Sequence, residues 1–215
     1  MQGDKKLASV PGTPRARAAA VLIREAEGEL LFEHSTRVYY WAALSGARKG
    51  WAFDPELLYI ASMFHDYGLT SRYGSSHLRF EVDGANAARD FLRGQGASDA
   101  ELQAVWLAIA LHTTNGISAN LSPLASLLAE GANMDLVGLG YDQYSEAERN
   151  AVEAAHPRPA HFAESFMDAL YNGIRHRPET TQGTGLADVM AFKDPGFVRR
   201  DFAGLLIRSP WTRAK

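Results

Sequence analysis

Apolar residues in this chain recur at three- and four-residue steps along most of its length, and no stretch alternates apolar with polar for a useful run. That periodicity commits nearly every segment to a helix with one buried face and leaves no material for a sheet. Capping residues and glycines divide the pattern. Asp54-Pro55-Glu56 is a helix start, an N-cap followed by proline at the first helical position. Ser98-Asp99-Ala100-Glu101 and Ser122-Pro123 are two more. The predicted helices cover 15–27, 29–47, 54–67, 79–93, 98–113, 122–135, 145–155, 159–176 and a short final segment, 195–207. Gly28 separates the first two, and residues 68–78, 116–121 and 177–185 read as loops. Residues 1–13 read as a loose arm, and 14–215 as a single all-α domain, a bundle of roughly eight to ten helices.

Several polar residues interrupt faces that this pattern buries. The apolar run Leu57–Phe64 leads straight into His65-Asp66. An unpaired carboxylate buried there costs several kcal/mol. His34 lies on the apolar stripe of its helix with Leu31, Val38 and Trp41; His112 ends the run "WLAIALH"; Asp135 lies within "NMDLVG". Taken singly, each has an ordinary structural role as a hydrogen-bonded core histidine or a capping aspartate. Taken together, on separate helices, they are placed to converge on one divalent cation. Such an ion offsets the burial of two carboxylates and suits neutral imidazoles.

Composition narrows the chemistry. The chain has no cysteine, which excludes disulfides, thiolate catalysis and cysteine-ligated zinc or iron–sulfur centres. A metal would have to use His, Asp, Glu or water, as Zn, Fe, Mn, Co, Ni or Mg can. A net charge of -3 gives no pull toward nucleic acid or an anionic membrane. No apolar run approaches the ~18 residues of a membrane span, and Met1–Lys6 is not followed by a signal-peptide core. These features lead us to expect a cytoplasmic protein acting on a small molecule, with no nucleic-acid or membrane partner and with homo-oligomerisation left open.

The ordered set His34, His65-Asp66 and Asp135 resembles the signature of the HD-domain superfamily of metal-dependent hydrolases. A closer likeness is to its cyanamide hydratase-like branch. It is carried by "HSTRVYYWA", by "FHDYGLT" with Thr70, by "RFEVDGANAARDFL" with Phe80 and Glu81, by "LHTTNG" with His112, and by "NMDLVG" with Gly138. The likeness covers about 29–140 and departs in the loop 70–78 and beyond Gly138; 141–215 would add C-terminal helices over a pocket or an interface. The resemblance implies that His34, His65, Asp66 and Asp135 hold one divalent ion, zinc first, with Fe, Mn, Co or Ni as alternatives. It implies that Asp66, Glu81 and His112 serve catalysis, while Thr70, Phe80 and Arg37 bind substrate. The reaction expected is attack of metal-activated water on a small substrate, cyanamide giving urea. Arg37, on the face of His34, is expected to pair with Asp66, with a substrate anion or at the surface. The main alternative is a phosphohydrolase using Arg37, Arg72 or Arg79 as cations. A dinuclear iron oxygenase would need His112 and His77 as extra ligands, and a non-catalytic binding domain would need none. His156, His161 and His176 are assigned no part.

Overall fold

The structure is a computed structural model describing residues 9–212. Most of the expected arm, residues 1–8, therefore lies outside the described residues; 9–13 carry no regular structure. The described residues form nine α-helices and no strand, the all-α bundle that the periodicity predicts. In chain order they are α1 (Pro14–Lys49), α2 (Pro55–Phe64), α3 (Phe80–Gly94), α4 (Asp99–Ala110), α5 (Pro123–Val137), α6 (Glu146–Ala155), α7 (Phe162–Ile174), α8 (Leu186–Lys193) and α9 (Phe202–Ile207).

The starts follow local chemistry. Asp54, Ser98, Ser122 and Ser145 each accept a hydrogen bond from a backbone N–H of the first turn, and Ser98 and Ser145 form full capping boxes. Gly28 breaks α1 into 14–27 and 29–49 by adopting φ 61 and ψ 173, as the predicted division requires. The ends differ from expectation. The helix expected over 54–67 stops at Phe64, and a 3₁₀ turn (Tyr67–Leu69) carries the chain away. α8 was not foreseen, because no capping side chain announces it: its N-cap is Gly185.

The core forms around α2, where every residue from Leu57 to Phe64 is buried. The long second arm of α1, α4 and α5 pack on it. α5 lies antiparallel to α1, with Gly131 against Val38 and Asp135 against His34. Gly131 permits that approach. A Cβ there would stand 2.4 Å from the Val38 carbonyl oxygen, inside any allowed contact. Gly131→Ala is therefore expected to lower stability by about 2–3 kcal/mol by forcing the helices apart. Urea denaturation checks this, and an unchanged midpoint would contradict it.

A second apolar cluster joins Phe166, Ile174, Leu186 and Met190 to Leu31, Leu69 and Phe80. It seats α7 and α8 beside the buried polar residues. Arg177, fully buried, ties them on. It donates to Asp83, to Leu78 O at 2.7 Å, to Gly68 O at 2.6 Å and to Gly173 O at 3.2 Å.

Candidate metal centre

His65 and Asp66 follow the last turn of α2, and His112 follows the last turn of α4. A helix end leaves carbonyls without intrahelical partners. Here carbonyls of the last turns hold imidazoles: His65 Nδ1 is 2.7 Å from Ser62 O, and His112 Nδ1 is 2.7 Å from Ile109 O, which also accepts from the His112 backbone N–H at 3.3 Å. His34, within α1, has its Nδ1 2.7 Å from Asp135 Oδ2. Carbonyl and carboxylate oxygens only accept, so each Nδ1 carries a proton, and in the neutral ring Nε2 is left with a bare lone pair.

Those lone pairs converge. His34 Nε2 lies 3.2 Å from His65 Nε2, and Asp66 Oδ2 lies 3.5 Å from the first and 3.3 Å from the second. All three residues are buried. With the rings neutral and Asp66 ionised, three acceptors face one another, an arrangement that a cation would relieve. Ligand bonds of about 2.0–2.1 Å in tetrahedral geometry put donor atoms about 3.4 Å apart, which matches these separations. The donor set, two imidazoles and a carboxylate, suits a divalent ion.

Burial pushes the Asp66 carboxyl up, against the pull of His34 and His112. Burial, then the neighbouring His34, pushes His65 down to about 3. Burial, then His65, pushes His112 down to about 4. Both imidazoles are therefore neutral at physiological pH, the state in which His65 can ligate a metal.

Asp135, expected as a fourth ligand, occupies a different position. It meets His34 on the ring nitrogen opposite the cluster, and both of its oxygens are filled. Oδ1 accepts from Arg37 Nε at 2.9 Å, Trp41 Nε1 at 2.9 Å and an Arg158 nitrogen at 2.6 Å; Oδ2 accepts from His34 and, at 3.0 Å, from Arg37 Nη2. Burial pushes its carboxyl up, but the His34 hydrogen bond and charge, followed by Arg37, outweigh it and hold it well below the usual range. It fixes the tautomer and orientation of His34, as carboxylates behind metal-binding histidines do.

Arg37 is fully buried against Asp135 and donates to His156 O at 3.3 Å. It pairs with neither Asp66 nor the surface, because Asp135 and the His156 carbonyl take its donors. The Thr70 hydroxyl donates to Tyr67 O at 2.8 Å, closing its 3₁₀ turn. Glu81 is buried behind His112. It receives Arg79 Nη2 at 2.6 Å and the Thr113 hydroxyl, and these partners with His112 hold its carboxyl low despite burial. His77 is exposed and apart from the cluster.

A cavity of about 270 Å³ opens on the centre. His65, Asp66 and His112 form one end; Phe80, Leu136, Val137, Phe166, Leu170, Leu186 and Val189 supply its apolar walls. Arg37, Thr70 and Glu81 are not among its lining residues. Sequence reasoning missed Arg158, which completes the shell around Asp135, and Phe166, whose ring meets His34 edge-on at 4.6 Å. It also missed α8, which supplies Leu186 and Val189. The apolar spacing of Phe162, Phe166 and Leu170 was the only available signal, and it says "buried face" without saying against what.

The family model described as HD domain matches residues 31–154, more than half of the chain. The protein belongs to the HD domain family, whose members are mostly metal-dependent hydrolases. The matched region includes His34, His65, Asp66, His112 and Asp135 and ends before α7. A search of curated proteins found no match.

The depressed histidines make stability sensitive to acid. With folded values of about 3 for His65 and about 4 for His112 against 6.5 in the unfolded chain, the unfolded chain binds more protons below pH 6.5. Stability therefore falls as pH falls through that window. Asp66, raised, works in the opposite direction above its ordinary value and reduces the slope. We expect the metal-free protein to lose about 2–4 kcal/mol between about pH 6.5 and 4.5. Urea titrations at stepped pH measure this; a flat profile would contradict the buried, neutral assignment.

Proposed function

We propose that this protein is a metal-dependent hydratase of the cyanamide hydratase-like kind, adding water to a small uncharged substrate with a carbon–nitrogen multiple bond, of which cyanamide is the simplest. The observation that carries the reading is the triangle of His34 Nε2, His65 Nε2 and Asp66 Oδ2 at the end of a cavity whose remaining walls carry no charged side chain. His34, His65 and Asp66 would hold the ion, with Asp135 orienting His34. When bound, a divalent ion such as zinc brings the pKa of coordinated water toward neutrality and polarises the substrate.

The chain's own groups do the rest. Asp66 Oδ1, the oxygen outside the triangle, faces His112 Nε2 at 4.0 Å. These two atoms hold the proton released by water and return it to the substrate nitrogen. Glu81 acts through His112, whose imidazolium its negative charge favours. Phe80 and Phe166 shield the head group from bulk water. Water's oxygen ends on the carbon and both of its hydrogens on the former nitrile nitrogen, so cyanamide gives urea.

The phosphohydrolase alternative needs a cation beside the metal. No lysine or arginine lines the cavity, Arg37 and Arg158 are spent on Asp135, Arg79 is spent on Glu81, and Arg72 is exposed. The test is urea release from cyanamide by zinc-loaded protein, with metal content measured beside it. One ion per chain with turnover is expected, and His112→Ala should lower kcat by about 100-fold while keeping the metal. A loaded protein that releases phosphate from phosphomonoesters and leaves cyanamide untouched would overturn the proposal.

A further inference from the structure

The cavity is larger than the simplest substrate requires. A cavity of about 150 Å³ takes a benzene ring, and this one has about 270 Å³. Cyanamide, with three non-hydrogen atoms, would leave most of that space as water against hydrocarbon, which is unfavourable. The walls also differ by origin. Phe166 and Leu170 come from α7, Leu186 and Val189 from α8, and both helices lie beyond the HD match.

We propose that the substrate of this centre carries an apolar body of about eight to ten non-hydrogen atoms on its uncharged, hydratable head, and that α7 and α8 select it. An alkyl- or aryl-substituted cyanamide or nitrile is the class that fits. This rests on the hydratase reading for the head and on the cavity alone for the body. The polar side chains lining the cavity away from the centre are Thr113, Asn115 and Asn133, all uncharged. The Thr113 hydroxyl donates to Glu81, and Asn133 Nδ2 donates to Ala129 O at 2.8 Å. Arg199 and Arg200 line an adjoining cleft that shares Thr113, Asn115 and Gly185 with the cavity; neither arginine lines the cavity itself, and Arg199 meets Asp188 at 2.5 Å. An anionic body would thus enter the cavity without a counter-ion, whereas a hydrocarbon body meets hydrocarbon on several sides.

The experiment is calorimetric binding of N-alkylcyanamides of increasing chain length to zinc-loaded protein, beside the hydration rate of each. Affinity is expected to rise about fourfold per added methylene and to level off once the cavity is full. Leu170→Trp, which fills the cavity, should flatten the series with metal content unchanged. Hydration of cyanamide with no affinity gain along the series would overturn this inference and leave the hydratase reading intact. Affinity that climbs with chain length while no member is hydrated would support the apolar body and overturn the hydratase reading. Tighter binding of an alkyl phosphate than of the neutral compound of equal length would overturn the inference.

Discussion

Asp66→Ala is expected to abolish metal binding and to reduce turnover at least about 1000-fold, while the metal-free variant folds about as stably as the metal-free parent. The first half follows from geometry. Asp66 would supply the only negative ligand of the cluster, and two imidazoles alone would not hold a divalent ion in a buried site against its hydration. The second half follows from electrostatics. The Asp66 carboxyl is buried and pushed up, so ionising it without a cation costs folding free energy. Removing it relieves that cost, offset by a small cavity. A stability difference in the metal-free forms within about 1 kcal/mol is predicted. Elemental analysis and denaturation of both proteins, with and without zinc, separate the two halves. Metal retained at full occupancy would contradict the first; a metal-free variant that fails to fold would contradict the second.

Arg177→Met is expected to cost about 3–5 kcal/mol, the largest stability loss foreseen for a residue outside the centre. The substitution leaves Asp83 buried without its counter-charge and removes donors from three backbone carbonyls. Those carbonyls belong to the turn after α2, the loop before α3 and the end of α7, so the loss should loosen α7 and α8 before the rest. Hydrogen exchange would show 162–193 opening first, with α2 still protected. Uniform protection and an unchanged midpoint would remove Arg177 from this role.

The contrast between these two residues marks what was legible in the sequence. Asp66 was visible because a carboxylate after an eight-residue apolar run is locally inconsistent, and local inconsistency in a core points to a site. His34 stood out on an apolar stripe for the same reason. The helix starts at Asp54, Ser98, Ser122 and Ser145 were legible because a cap is made by residues two or three positions apart. Local pattern places Arg177 in a loop and hides its role, because its partners are distant in sequence: Gly68 lies 109 residues away and Asp83 lies 94 away. The role of Asp135 was hidden likewise. Its ordered place in the motif implies a ligand, but the choice between facing the ion and backing His34 depends on the approach of α5 to α1, which Gly131 controls. No periodicity encodes that approach. α8 escaped because a helix beginning at a glycine after a polar loop carries no start signal.

The buried acceptors account for a helix as apolar as α2 ending in His65 and Asp66 if a cation pairs with them, since it would convert a repulsive cluster into a bonded one. Anomalous scattering at the zinc edge, from crystals of zinc-loaded protein, is the measurement to make. We predict one strong peak within bonding distance of His34 Nε2, His65 Nε2 and a carboxylate oxygen of Asp66, with Asp135 still hydrogen-bonded to His34 Nδ1. An empty cluster with zinc bound elsewhere, or no ordered zinc, would contradict the assignment of this centre.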